Sequence, residues 1–406
     1  AGVTLGVGLT ATSILGNLTV QTGIFNNGGF ANTLAAGKNF AVQGTSTFNL
    51  TGTSTMVTVS GGGTKSFNTT APCSTVNYAG AAQTVTNETY GHLTLSGSGL
   101  KTMPGTSMTI ACDFTMAGTA SATAAQTLIV GGNFDVSAAG ATFSASTFSH
   151  QVKGNFSRTG TFNANTSTFT FNGTVAQSIT GATTFNNLIE NNALGLTINN
   201  DVTVSALLTF TNGKITTGAN KVIVATGGSI TSQSATSYVF GTMEKVGPVG
   251  TFTFAVGDAT NYTPVATTFT AGGATGSLAV KTTAGDHPNI GTSGLDATKS
   301  VNRYWTLTSA GLTGTYNATF NFISSAPVEV DSTSDYTGYT IQRYSGGSWS
   351  ATTTGAQNTT NTSATGLTGF DDFAIGVPVS GVDHYLITHD GSMVTCLTED
   401  ITFTAH

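Results

Sequence analysis

A short phrase returns through the first half of the chain: GNLTV at 16–20, KNFAV at 38–42, CDFTM at 112–116, GNFDV at 132–136, GNFSR at 154–158 and NDVTV at 200–204. Its Asn or Asp falls at 17, 39, 113, 133, 155 and 201, so the copies at 17 and 39 and those at 113, 133 and 155 lie 20 to 22 residues apart, the last gap is about twice that, and a longer gap separates 39 from 113. A period of this length is one turn of a solenoid. Because successive residues of a strand point to opposite faces, Phe134 and Val136 share one face and Asn133 and Asp135 the other, as Leu18 and Val20 pair in the first copy. One strand cannot bury such a face alone, so the turns must stack, about 4.8 Å apart, as parallel strands. Roughly ten turns give a rod of about 45 to 50 Å at that spacing. The Gly and Asn opening the phrase suit the bend before each strand, since both tolerate positive φ.

A longer repeat overlies the short one. NYAGAAQTVTNETYGHLTLSGSGLKT from Asn77 matches FNGTVAQSITGATTFNNLIENNALGLT from Phe171, with Gln83 on Gln177 and Leu93 on Leu188. Duplication of a four-turn block accounts for it.

Composition agrees with an elongated all-β chain. Its 406 residues exceed one ordinary core. Only 7% are charged, Thr, Val, Ile and 24 Phe favour strands, and good helix formers are scarce. A net charge of -6 with twelve scattered Lys and Arg argues against nucleic acid. No run of eighteen apolar residues exists to cross a membrane as a helix. The opening AGVTLGVGLTATSILG lacks the basic start of a signal peptide; a signal already removed would make Ala1 a mature end.

Near residue 235 the texture changes. Of eighteen acidic residues only Glu88, Asp113, Asp135 and Glu190 fall in the first 200, and both tryptophans lie later. GTFTFAV, NRYWTLT, YNATFNFI, YTIQRYSGGSW and FDDFAIG alternate between turn residues, the pattern of an antiparallel sandwich with YSGGSW as a tight hairpin. The expected organisation is a parallel β-solenoid (β-helix) over 1–234, a β-sandwich over 235–378, and a partial β domain or docking tail over 379–406.

The block from Phe171 to Ile215, with F-x-G-x-x-Q-x-I, F-x-N-L, D-V-T-V and L-T-x-x-x-G-x-I, resembles repeat regions of large secreted surface proteins of Gram-negative bacteria. Tyr238 to Gly376, with FTFAVGD and VNRYWTLT, is similar to β-sandwich modules that follow such repeats. The tail DHYLITHDGSMVTCLTEDITFTAH resembles a segment of the large extracellular proteins encoded with mannose-sensitive haemagglutinin pili, although there the segment continues past the point where this one ends. The resemblance implies an extracellular or cell-surface setting.

Catalytic chemistry is thin. Polysaccharide-cleaving β-helix enzymes need clustered carboxylates and a nearby cation. The first 200 residues offer four acids and Arg158. Among those acids only Asp113 and Asp135 could meet on stacked turns, and they occupy different positions of the phrase. There is no G-x-S-x-G elbow. His92 and His150 stand singly; His384 and His389, five apart on a strand, face opposite ways. GGNFDV only partly matches a calcium repeat, lacking its second spaced glycine. Asp331 with Asp335, or Asp371 with Asp372, could hold an ion at a loop, but solvated acids are the simpler reading. Asn17, Asn68 and Asn317 precede x-Ser/Thr at a frequency near chance for so Thr-rich a chain, so glycosylation is not indicated.

Cys73, Cys112 and Cys396 follow no metal spacing. Cys73 and Cys112 could form a disulfide across neighbouring turns, suiting an oxidising compartment, or remain two buried thiols. Cys396 is left over, its partner expected beyond residue 406. The expectation is therefore a secreted, non-enzymatic structural protein without cofactor: a fibre subunit or stalk joined by strand addition or end-to-end contacts. The alternative is an adhesin in which Trp305, Trp349, Tyr304 or Tyr344 stacks on sugar; a glycan-cleaving enzyme ranks third.

Overall fold

The computed structural model describes residues 2–325, 329–331 and 335–379, together with the strands Tyr385–Thr388 and Thr402–Ala405. Most of the tail over 379–406, with Cys396, His384 and His389, lies outside the described residues. The chain divides into two compact units, Ala1–Thr282 with Thr308–Thr315, and Thr283–Leu307 with Tyr316–His406.

The first unit is a parallel β-solenoid of about 12 turns. One continuous parallel ladder begins with Gly2–Thr4, Ile24–Asn26, Thr47–Leu50, Thr75–Tyr78 and His92–Leu95. It continues through Phe114–Met116, Phe134–Val136, Phe156–Arg158, Gln177–Thr180 and Leu196–Ile198. In the middle each turn carries three short strands, as in Phe134–Val136, Thr142–Ser144 and Ser149–Val152. Each strand pairs with its counterpart one turn on.

The inward face is apolar, as the alternation requires. Phe134 and Val136 are fully buried. Phe134 is in register with Phe114 below and Phe156 above, with ring centroids 4.9 and 5.5 Å away. Phe143, Phe162, Phe169 and Phe185 join the same column from the other faces of the coil.

The polar residue of the phrase does more than turn a corner. The side-chain oxygen of Asn17 accepts the backbone N–H of Asn39 at 2.9 Å, and that of Asn39 accepts Thr64 at 2.9 Å. Asp113 serves Asn133 at 2.7 Å, Asn133 serves Asn155 at 2.8 Å, and Asn155 serves Ser178 at 2.8 Å. Asp201 does the same for Lys221 at 3.0 Å. The expectation of positive φ at Gly132 and Asn133 is not met, since neither adopts it. Close approach is what demands glycine: a Cβ on Gly132 would stand 2.4 Å from Asp113 Oδ1 and 2.8 Å from the Cys112 carbonyl carbon. Asp135, read from the sequence as a solvated residue, accepts the Ser157 hydroxyl of the next turn at 2.6 Å.

The four-turn repeat is physical as well as textual. Gln83 and Gln177 are both buried. Each accepts from a glycine N–H of its own turn, Gly80 at 3.0 Å and Gly173 at 2.7 Å. Each donates its amide to two carbonyls of earlier turns, Leu50 and Ser54 for Gln83, Val152 and Gly154 for Gln177.

The ladder does not stop where composition changes. Ile215–Val224 pairs in parallel with Val239–Val246, and that strand in turn with Val256–Gly257. Val239–Val246 also pairs antiparallel with Ser277–Ala284, so the switch from parallel to antiparallel occurs on a single strand. These late turns lack the repeated phrase, which is why the turn number exceeds the ten expected.

The second unit is antiparallel. Asp371–Pro378 lies between Leu295–Ala310 and Thr340–Ser345, with Ser348–Ala351 on the outer side of the latter. Gly314–Asn321, Asn361–Leu367 and Thr353–Asn358 form the opposing sheet. Trp305 and Phe373 from one sheet meet Phe320 from the other at 5.2 and 5.1 Å. The YSGGSW hairpin forms as expected, with Gly346 and Gly347 at φ 58° and 87°, the left-handed pair that a two-residue turn requires. Arg303, fully buried, is neutralised by Glu329 through paired hydrogen bonds.

One inward position of the solenoid carries a carboxyl. Glu190 is in register with Phe171 on one side and Phe210 on the other and is fully buried. Burial pushes its carboxyl up to about 9. It is protonated in the folded chain where the unfolded chain would ionise it, so its contribution is complete below about pH 4.5 and is lost as pH rises through about 9. Glu190→Gln should therefore change thermal stability little at pH 4 and raise it at pH 7, by a difference on the order of 3 kcal/mol, read from thermal unfolding at the two pH values.

Candidate functional site

The aromatic residues singled out in the sequence separate into two groups. Trp305 is fully buried in the sandwich core, so it is removed from the candidate stacking set. Its neighbour Tyr304 points to the other face of the same strand, as alternation dictates. There Tyr304, Tyr344 and Trp349, all half-buried, surround His287 with ring centroids 5.1, 4.8 and 4.8 Å from the imidazole. Tyr344 and Trp349 are paired across the hairpin, 5.0 Å between centroids.

His287 is itself buried, and its tautomer follows from its partners. Nδ1 accepts the N–H of Asn289 at 3.1 Å, so Nε2 carries the proton and donates to Asp372 Oδ2 at 3.2 Å. Asp372 Oδ1 accepts the Thr306 hydroxyl at 2.6 Å. Trp349 Nε1–H donates to the Asn289 carbonyl at 3.0 Å. Both imidazole nitrogens are thus engaged in fixing the ring cluster. Sequence reasoning missed His287, which lies in a connection, because its partner Asp372 is 85 residues away on the strand Asp371–Pro378. The only signal was its place among aromatic strands.

The other candidates are engaged one by one. Asp331 accepts the Ser300 N–H at 2.8 Å and the Asn302 side chain at 3.0 Å, while Asp335 caps a short 3-10 turn through Thr337 N–H. Asp371 accepts the Ser345 hydroxyl and Asp372 holds His287, so these adjacent acids serve different faces. Asp113 and Asp135 do not meet: Asp113 contacts His92 and Asn133, whereas Asp135 binds Ser157. Arg158 is spent on the carbonyls of Gly160 and Ala182. His150 is buried, accepts the Leu128 N–H at Nδ1 and bonds the Ala145 carbonyl through Nε2; burial pushes its pKa down.

Cys73 and Cys112 form a disulfide, with Cα atoms 6.6 Å apart. The turn carrying His92 runs between them, since Thr75 is in register with His92 and Leu93 with Phe114. His92 Nδ1 lies 3.1 Å from Asp113 Oδ2 and 3.2 Å from the Asp113 backbone nitrogen. Cys73 is buried, but His92 and Cys112 are half-exposed in an open groove of about 620 Å³ lined in part by Gly131 and Gly132. No scan for C-x-x-C finds this grouping, because its members are spaced by turns of the coil; a search at the solenoid period would have.

No protein-family model matches the chain, and no curated protein or solved structure matches it either. The two tryptophans give a direct check: Trp305→Ala should cost about 3 to 5 kcal/mol of stability and Trp349→Ala no more than about 2 kcal/mol, measured by thermal unfolding.

Proposed function

We propose that this chain is a non-catalytic structural component of an extracellular or cell-surface assembly, in which the solenoid serves as a stalk or fibre subunit and the sandwich as its companion module. One observation carries the reading: the polar residue of each phrase copy is consumed in holding the next turn, from Asn17–Asn39 through Asp201–Lys221. Residues kept at a fixed period to build shape leave little for turnover. The Cys73–Cys112 disulfide fits an oxidising setting. Among the described residues no helix is long and apolar enough to cross a membrane.

Exposed apolar side chains support assembly. Val3, Val7, Leu15 and Ile24 are all exposed. Apolar side chains left in water in one stretch of a solenoid favour contact with a partner surface. The resemblance of the Phe171–Ile215 block and of the tail to secreted surface proteins, including those encoded with mannose-sensitive haemagglutinin pili, points the same way. A sugar-binding reading has weaker support, because Tyr304, Tyr344 and Trp349 already pack on one another and on His287.

Negative-stain electron microscopy of the full chain over a concentration series tests the proposal. Linear end-to-end particles that shorten when Val3 and Val7 are replaced by Asp are expected. Isolated single particles at every concentration would overturn the assembly reading.

A further inference from the structure

Beyond any structural role, the groove around the Cys73–Cys112 disulfide gathers side chains of metal-ligating types. Cys73, His92 and Cys112 each offer one ligand atom, and all three atoms lie within 4.8 Å of one another. A tetrahedral zinc ion with bonds of about 2.3 Å to sulfur and about 2.0 Å to imidazole nitrogen sets its ligands roughly 3.5 to 3.8 Å apart. The bonded sulfurs now sit closer than that and the imidazole nitrogen lies within 4.8 Å of both, so parting the sulfurs and a small side-chain adjustment bring the set to this spacing. Asp113 stands beside them, its Oδ2 3.1 Å from His92 Nδ1 and its Oδ1 held by Asn133 N–H at 2.7 Å. It can supply the fourth ligand or orient the imidazole.

We propose that this disulfide masks a thiolate-rich site for a thiophilic divalent cation of the zinc class, opened by a dithiol reductant. The chemistry balances in two steps. The dithiol gives two electrons and two protons: the Cys73–Cys112 bond breaks, both sulfurs become thiols, and the reductant leaves as a cyclic disulfide. The cation then binds both sulfurs and the neutral His92 ring, and the two thiol protons are released to solvent. Only side chains need to part, because the Cα atoms are already 6.6 Å apart and His92 sits on the turn between them.

The groove is open enough for both reactants. His92 and Cys112 are half-exposed, and Gly131 and Gly132 line the groove beside them. A Cβ at Gly131 would come within 2.2 Å of the Ala111 carbonyl oxygen, and one at Gly132 within 2.4 Å of the Asp113 carboxylate. The solenoid supplies the grouping directly, since three successive turns present Cys, His and Cys-Asp to the same side.

The test uses the full chain carrying Cys396→Ser, which removes the third thiol. The protein is reduced, freed of reductant under anaerobic conditions and titrated with Co²⁺ alone, then with Zn²⁺ in competition. One equivalent of Co²⁺ should bind with a thiolate-to-cobalt charge-transfer band and tetrahedral visible bands, displaced by one equivalent of Zn²⁺; the oxidised protein should show neither. His92→Ala, purified with its disulfide intact before reduction, should weaken binding at least tenfold, and Asp113→Asn should weaken it by about 10-fold or more. Absence of the charge-transfer band in the reduced chain would overturn the proposal, as would unchanged affinity in His92→Ala.

Discussion

A side-chain oxygen accepting the backbone N–H of the turn above, repeated at every copy of the phrase, is the contact on which the solenoid depends. Strand pairing aligns the backbones along each face, but an amide at the corner before a strand would otherwise have no acceptor. Asn17, Asn39, Asp113, Asn133, Asn155 and Asp201 supply that acceptor in turn. Side chains with an acceptor at this reach can do so, which is why the phrase position varies between Asn and Asp and why His92 Nδ1 can serve the Asp113 N–H in the same way. The glycine before it is part of the same contact, because the approach of Gly132 to Asp113 leaves no room for a Cβ.

The ladder in turn fixes what stands inside. With each turn held in register, Phe114, Phe134 and Phe156 must stack, and the coil interior becomes a continuous aromatic column. Offset and edge-on ring contacts of this kind contribute about 0.5 to 1.5 kcal/mol each beyond the burial of their area. Polar intruders are tolerated where the backbone offers partners. Gln83 and Gln177 tie carbonyls of earlier turns, and Lys101 donates to the carbonyls of Gly80 and Ala81 and to Gln83. Glu190 instead remains neutral among phenylalanines, and its turn carries a pH-dependent weakness.

Much of this was legible in the residues. A strand period of two nested in a coil period of 20 to 22 assigns Phe134 inward and Asn133 outward without coordinates. The Gln83–Gln177 correspondence marks two equivalent brackets, and YSGGSW gives its hairpin from turn chemistry alone. What escaped are contacts whose partners are chosen by three-dimensional register. Val239–Val246 carries no copy of the phrase yet pairs in parallel, because pairing needs a matching backbone rather than a matching motif. Trp305 and Tyr304 read alike as aromatics, and only the sheet decides which one faces the core. The bonds of His287 to Asp372 and of Cys73 to Cys112 span 85 and 39 residues, so composition could suggest the second and not the first.

The stacked ladder is most directly tested by nuclear Overhauser contacts in a chain selectively labelled at phenylalanine. In-register parallel turns predict backbone contacts joining the Phe134 segment to both the Phe114 and Phe156 segments, and ring contacts along the column from Phe114 to Phe156. Their absence, or contacts that pair the Phe134 segment antiparallel to any neighbour, would contradict the account.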